Sequence, residues 1–377
     1  MSTMLEAVIH PLPTITSTIH SIPIPDPGPY ELLIKVVAAG SNVKDWWHLT
    51  QKNYSFNSGD DISGTVHAMG SSVYGFRVGD RVAAFHQMGT SGGAYAEYAL
   101  APVHTTFHMP DDVSFEEAST IPLVSTTAAI TLFRRHALPP PWSPVASSSP
   151  PIPLIVYGAS SALGLFTVKL ARLANIHPII AIGGASHLHL LPLLDHSLGD
   201  AFIDYCDGVE SMMQQVRDAL GPLKARHALD AISSGDTWVH VSRMLDPTPD
   251  PTTGARSLLS VVSGTNSYDE PEIPTTIDIV YTFVGTAHTG KYMPAMPKQP
   301  KESAGEVSND VEFTGTFFEW VAEALEEGKL EGHRYKVTPG GLLGVEVSLR
   351  ALKEGKAKGK KFVCLVADTP GLKGREY

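Results

Sequence analysis

Gly158, Ser161 and Gly164 are spaced as Gly-x-x-Ser-x-x-Gly in Gly158-Ala-Ser-Ser-Ala-Leu-Gly164. Small residues at this spacing let a backbone approach a phosphorylated ligand. A helix starting there adds free N–H groups and the positive end of its dipole. The flanking segments supply the elements such chemistry needs. Ile152-Pro-Leu-Ile-Val-Tyr157 is a short apolar run, suited to a strand buried on both faces. Leu163, Phe166, Leu170 and Leu173 follow at helical spacing. Strand, glycine turn and helix together form the place where an open α/β sheet holds a dinucleotide, although the spacing departs from G-x-G-x-x-G.

The second strand of that unit is expected at 177–182, followed by Gly183-Gly-Ala-Ser-His-Leu188. An acidic residue at this point ordinarily binds a ribose 2′-hydroxyl. None stands here, so a 2′-phosphate meets no repulsion. Ser186 can donate a hydrogen bond and His187 a second one or a partial charge, while Gly184 leaves room. This pattern favours NADPH. Ser186 can equally cap the next helix.

Other chemistries find little support. The 16 histidines show no HExxH or Cys/His spacing, and the two cysteines, Cys206 and Cys364, are expected as inert core thiols. Ser160 and Ser161 follow a strand without the G-x-S-x-G elbow of hydrolases. The formal net charge is −11 and no basic cluster stands out, which argues against nucleic acid or an anionic membrane as partner. With 43% hydrophobic and 18% charged residues, the 377-residue chain reads as a folded globular protein large enough for two domains. No long apolar span or leader is evident, so a cytoplasmic location is expected.

Along the chain, residues 1 to about 130 read as mostly β, with strands at Tyr30–Ala38, Asp61–His67 and Ala94–Leu100. Phe76–Ala83 reads as apolar segments around a tight Gly-Asp reversal, and Ser41–Leu49 as one or two helical turns. The Pro- and Ser-rich stretch 136–153 is a loop. Strands are then expected at 152–157, 177–182, 201–205, 227–232, 257–263 and 277–284, with helices at 162–174, 186–195, 208–220 and 235–245. Alternation of this kind implies a doubly wound parallel sheet. A polar loop over 291–310, helices at Phe317–Leu330 and Val345–Lys353, a strand at Lys361–Val366 and a frayed tail after Asp368 complete the reading.

These residues resemble the medium-chain dehydrogenase/reductase superfamily, its zinc-free quinone-reductase branch, and within it the fungal trans-acting enoyl reductases of polyketide biosynthesis. The resemblance rests on Gly40-Ser-Asn-Val-Lys-Asp45, Gly59-Asp-Asp-Ile-Ser-Gly64, Val78-Gly-Asp-Arg-Val82, Gly93-Ala-Tyr-Ala-Glu-Tyr98 and Val156–Gly164. It continues in Phe202-Ile-Asp-Tyr205, Gly328-Lys-Leu330, Val337-Thr-Pro-Gly-Gly341 and Gly355–Lys361. It implies an α/β protein in which a GroES-like β-rich catalytic domain (1–130 and 302–377) carries an inserted Rossmann domain (131–301, including loop 136–153). Zinc-dependent relatives have a cysteine near Ser41 and Gly-His-Glu where Gly59-Asp60-Asp61 stands, so no metal is implied.

Carried over residue by residue, the resemblance places Asn42, Val43, Lys44 and Asp45 beside the nicotinamide and Ser160, Ser161 and Ala162 at the pyrophosphate. Gly184, Ser186 and His187 surround the 2′-phosphate, with Tyr205 packed nearby. Val261, Val262, Gly359 and Lys360 make further cofactor contacts. Substrate is expected at Pro122, Thr126 and Thr127 and at Phe283, Val284, Gly285, Thr286 and His288. Close relatives often read Asn-Pro-x-Asp-Trp-Lys where this chain has Asn42-Val-Lys-Asp-Trp-Trp47. Lys44 or His48 would replace the missing lysine, and Lys44, Thr127 and His48 are the catalytic candidates. The implied reaction is NADPH-dependent hydride transfer to the β-carbon of an α,β-unsaturated carbonyl, with a small molecule or a carrier-bound thioester as substrate and a polyketide synthase as partner. A stand-alone quinone or enone reductase and a non-catalytic NADPH-binding protein are the alternatives. Quinone reductases commonly pair through the strand at Ile277–Val284; the loop after Gly285 can cover that edge, so a monomer is expected.

Overall fold

The structure, a computed structural model, describes residues 2–184, 188–292 and 307–372. In chain order the elements begin with β1 (Thr3–His10), β2 (Thr16–Pro23), β3 (Glu31–Gly40), α1 (Lys44–Lys52), β4 (Asp61–Met69), β5 (Arg81–Phe85), β6 (Tyr98–Pro102), β7 (Thr106–His108), α2 (Phe115–Ala118) and α3 (Pro122–Ala129). There follow β8 (Leu154–Tyr157), α4 (Ala162–Leu173), β9 (Ile179–Gly183), β10 (Ala201–Asp204), α5 (Val209–Leu220), β11 (His227–Asp230), α6 (Thr237–Ser242), β12 (Ser257–Val261), β13 (Ile277–Tyr281) and α7 (Thr286–Thr289). The last are α8 (Asp310–Glu326), β14 (Tyr335–Val337), α9 (Val345–Lys353) and β15 (Lys361–Leu365). The chain divides into one unit of residues 1–123 and 311–377 and another of 124–310. The first crossing thus falls inside α3, earlier than 130, and the second at Asp310 within α8. The anticipated position 301/302 lies outside the described residues.

The first unit is built on a sheet of order β14-β15-β3-β4-β5-β7, with β6 also pairing β3. β3, Glu-Leu-Leu-Ile-Lys-Val-Val-Ala-Ala-Gly, is buried along most of its length and lies between β15 from the far end of the chain and β4. Its apolar side chains join Ile62, Val82, Tyr95, Leu342 and Leu349 in one core. A hairpin of β1 and β2, not anticipated from the sequence, stands as a separate two-stranded sheet.

Several segments differ from expectation for local reasons. The Gly-Asp reversal expected within Phe76–Ala83 is not among them: Gly79 takes φ +96°, Asp80 Oδ2 accepts from Arg77 N at 2.7 Å, and β5 follows from Arg81. Ala94–Glu97 leave the ladder because their backbone bonds go elsewhere: Ala94 N to Gly59 O, Ala7 N to Tyr95 O and Val36 N to Glu97 O. The helix expected at 186–195 is absent over its described part, 188–195. Pro192 sits within a short 3₁₀ turn at Leu191–Leu193, and a second turn follows at His196–Leu198. α8 starts at Asp310 rather than Phe317. The tail is docked as far as Leu372, since Thr369 and Leu372 are buried and Thr369 Oγ1 accepts from Leu342 N. Cys364 is buried, but Cys206 is exposed in the turn after β10 and is no core thiol.

In the second unit six strands lie parallel in the order β10-β9-β8-β11-β12-β13. This is the doubly wound arrangement, with β8 at the centre and the reversal of strand order between β8 and β11. α3 continues as a π-helical turn, Ile130–Arg135, and residues 137–153 form the loop anticipated from their prolines.

A histidine pair joins the end of the π-helical turn to the start of β11. His136 Nδ1 and His227 Nδ1 are 3.1 Å apart, and His136 Nε2 meets Ser260 Oγ at 3.0 Å. One proton between the two Nδ1 atoms makes a hydrogen bond; two would repel. Burial holds His136 well below the usual imidazole range, and burial together with the Arg226 charge lowers His227 to about 4. The unfolded chain therefore binds more protons below the ordinary imidazole value. The pair's contribution is complete above that value and is lost as pH falls towards the folded value of about 4. Each imidazole supplies a slope approaching about 1.4 kcal/mol per pH unit in that window. Urea unfolding followed through the window should show this decline, and His227→Gln should make it shallower.

Candidate active site

A buried charged cluster occupies the first unit where β3 runs into α1. Asp45, Asp60, Asp61 and Tyr95 are 0–1% exposed and Lys361 3%. β4 begins at Asp61, which collects three donors: Asn42 Nδ2 at 2.8 Å, Leu123 N at 2.7 Å and the Lys361 ammonium. Asp45 Oδ2 accepts from Asn42 N at 2.8 Å and from Tyr95 Oη at 2.6 Å. Gly59 makes room for the Tyr95 ring, since a Cβ there would lie 2.9 Å from it.

Lys44, at the start of α1, spends its three N–H donors inside the protein: on Ser58 O at 2.6 Å, on Asp45 Oδ1 at 2.9 Å and on Asp60. Burial pulls its ammonium down, but Asp45 and Asp60 outweigh that and hold it above the ordinary lysine value. Burial pushes the Asp60 carboxyl up to about 7, with Lys44 opposing and Asp45 and Asp61 adding to the rise. Burial also lowers His48 to about 3, with Lys44 and Lys52 contributing, so its imidazole is neutral at physiological pH. Neither side chain is therefore a ready acid: Lys44 is committed to carboxylates and His48 carries no extra proton. Val43 is exposed, Gly359 takes φ +69° and Lys360 is exposed. Among the described residues no three His, Cys, Asp or Glu side chains converge as metal ligands.

In the second unit the glycine turn has the form its spacing suggested. Gly158 takes φ +75°, a conformation that favours glycine. At Gly164 a Cβ would lie 2.3 Å from Gly158 O, so helix and turn close up only with glycine there. Ser161 caps α4, its Oγ accepting from Gly164 N at 3.0 Å. Ala162 and Leu163 present the unbonded N–H groups of a helix start. Ser160 Oγ is buried with no hydrogen-bond partner. A buried hydroxyl of this kind suits a ligand oxygen. Gly184 lies under the Tyr205 ring, where a Cβ would come 2.6 Å from Tyr205 Oη, and Tyr205 stacks on Tyr157 with centroids 5.9 Å apart. Ser186 and His187 lie outside the described residues.

The adjoining strand ends are tied by residues that sequence reasoning passed over. Asp230, buried at the end of β11, accepts from Ile232 N, Ser233 N and Thr237 Oγ1. Ser233 Oγ donates to Asp230 O and accepts from Val262 N at 2.9 Å. The loops after β11 and β12 are thus linked next to Val261 and Val262. Short polar residues after a β-run were the available signal for this link. Among the expected substrate residues, Thr126 and Thr127 are buried in α3, which Pro122 begins. Phe283, Val284 and Thr286 are buried, and the Phe283 ring packs on Gly285. Thr286 Oγ1 donates to Phe283 O and accepts from Arg135, which is paired with Asp310 at 2.5 Å. His288 is half-buried in α7.

Comparison with known proteins decides the family. Residues 28–111 match the Alcohol dehydrogenase GroES-like domain. The chain is similar to the trans-enoyl reductase fsr4 of Gibberella fujikuroi, 35% identical over 344 residues, covering 90% of this chain and 92% of that one. The chain belongs to the medium-chain dehydrogenase/reductase superfamily. As a member it is an oxidoreductase that uses a nicotinamide cofactor. It is also 30% identical over 395 residues to the trans-enoyl reductase resD of Aspergillus sclerotiorum, covering 95% and 99% of the two chains. In fold it is similar to the crystal structure of CurK enoyl reductase, with a TM-score of 0.70 at 16% identity over 97% and 99% of the chains. The turn at Gly158–Gly164, the orphan Ser160 hydroxyl and the Gly184–Tyr205 cradle fit such a dinucleotide. Among the described residues no helix is long and apolar enough to cross a membrane.

Proposed function

We propose that this reductase uses NADPH to reduce the carbon–carbon double bond of an α,β-unsaturated thioester carried by a polyketide synthase. The likeness to fsr4 along nine-tenths of the chain carries the reading. Two features support NADPH: no carboxylate follows β9 in Gly183-Gly-Ala-Ser-His187, and the Tyr205 phenol stands over Gly184. When bound, the cofactor supplies hydride to the substrate β-carbon. Ser160, Ser161 and the first N–H groups of α4 hold its pyrophosphate. Within the first unit Asn42 and Asp45 are held rigidly by Asp61 and Tyr95.

Charge builds on the substrate oxygen as hydride arrives, and a donor aimed there lowers the barrier. The Thr127 hydroxyl, buried in α3, is the donor we assign to that role on the family resemblance. Thr127→Val should lower kcat by about 100-fold with NADPH affinity nearly unchanged. A comparable loss of NADPH binding would assign Thr127 to the cofactor instead. The enzyme works as a cytoplasmic monomer, receiving its thioester from a synthase carrier.

The deciding experiment follows consumption of reduced cofactor with an acyl-pantetheine enoate, then with a simple quinone. Oxidation of NADPH by the enoate supports the proposal. Turnover with the quinone alone would make it a stand-alone quinone reductase, and NADPH binding without turnover a non-catalytic protein.

A further inference from the structure

In the loops after β11 and β12, two residues other than glycine hold left-handed backbone: Ser233 at φ +48° and Tyr268 at φ +55°. Such residues cost free energy and persist only where their surroundings fix them, most often at active sites and ligand clamps. Ser233 is 4% exposed and is fixed through every polar group it has. Its N–H donates to Asp230 Oδ1 at 2.9 Å, and its carbonyl accepts from Asn266 Nδ2 at 3.1 Å. Its hydroxyl donates to Asp230 O and accepts from Val262 N, both at 2.9 Å. Tyr268 is held by its phenol, which donates to Ser263 O at 2.5 Å, and by the Trp238 ring, edge-on with centroids 5.1 Å apart.

The loop that carries Ser233 also abuts the glycine turn. Ala231 N donates to Tyr157 O, and Ile232 Cγ1 lies 2.6 Å from the place a Cβ on Gly158 would take. The loops after β8, β11 and β12 therefore touch in series at the carboxyl ends of their strands, beside the point where the strand order reverses. An open parallel sheet takes its ligand there. We propose that Ser233 is a positioning residue for the nicotinamide cofactor: its one hydroxyl clamps the loop after β12 to the loop after β11, so that both meet the dinucleotide in a single arrangement. Without it Val262 N loses its acceptor, and binding has to order a loop that the wild type presents already ordered. The inference rests on dinucleotide binding in the second unit and not on the substrate.

Ser233→Gly and Ser233→Ala both remove the hydroxyl but act oppositely on the backbone. Glycine accepts the left-handed conformation freely, whereas alanine keeps its strain and loses the bonds that enforce it. Ser233→Gly should therefore have the higher urea midpoint of the two. Both should raise the NADPH dissociation constant by about tenfold, the effect of one ordering hydrogen bond. Hydrogen exchange adds a readout that stability alone does not move. In both variants exchange over residues 262–268 should quicken while β11 and β12 stay protected, and NADPH should slow that segment more in the wild type than in either variant. Affinity that follows the urea midpoint, with Ser233→Gly binding like the wild type, overturns the proposal. So does faster exchange spread evenly over both strands. If Ser233→Ala does not fold, Ser233→Gly against the wild type decides on the same measurements. Wild-type protein that binds neither NADPH nor NADH overturns the dinucleotide reading and this proposal with it, whereas wild-type affinity in both variants overturns the proposal alone.

Discussion

Lys361→Met is expected to cost the first unit about 3–5 kcal/mol, seen as a lower urea midpoint at unchanged slope. The Lys361 side chain is 2% exposed and its partner Asp61 is 0%. Methionine matches the bulk but leaves Asp61 as a buried anion beside Asp60. Asn42 Nδ2 and Leu123 N still donate to it, yet neither brings a charge. The methylene stem packs about as before, so the loss is electrostatic rather than a cavity. Asp61→Asn/Lys361→Met should recover much of it, because the neutral amide needs no counter-ion while its oxygen still accepts. A loss below about 1 kcal/mol, the ordinary value of a solvent-exposed pair, would show that the cluster is wetter than its geometry indicates.

Gly164→Ala should raise the dissociation constant for NADPH by roughly 100-fold, or about 2.7 kcal/mol. The added methyl would stand 2.3 Å from Gly158 O and 2.6 Å from Ala159 Cα. Both are backbone atoms, so no side chain can swing aside. Helix α4 must lift from the turn, which displaces Ser160 and Ser161 together with the free N–H groups. Gly208→Ala is the control: its φ of +93° strains any side chain, but no atom lies near the added methyl. It should weaken the fold slightly and leave cofactor affinity unchanged. Calorimetry with NADPH separates the two, and equal effects would mean that strain rather than crowding dominates.

The second unit was the more legible in the sequence. Its six strands are short apolar runs between turn residues, and a buried parallel strand has few other ways to look. The first unit hid more. Its β1–β2 hairpin carries only weak alternation, with Thr16–Pro23 half or fully exposed. Ala94–Glu97 alternate like a strand but bond to three different segments. Pro192 broke an apparent helix that the leucines around it suggested. At the site, the glycines and Ser161 were visible because their roles are local. The carboxylate cluster was not, because Asp61 meets Lys361 across 300 positions and Tyr95 meets Asp45 across 50. Lys44 shows the same limit from the other side. A lysine on a short helix looks like a solvated charge or a substrate contact, and only the fold reveals the three oxygens that claim it.

The Asp61 pairing also bears on how the chain can fold as it is made. The counter-charge of Asp61 is encoded in β15, so the nascent amino-terminal half emerges with an uncompensated acid in the middle of its sheet. The inserted nucleotide-binding segment is synthesised in full before that charge can be answered. That segment can fold as a unit before β15, which carries the partner of Asp61 and pairs with β3, has been made.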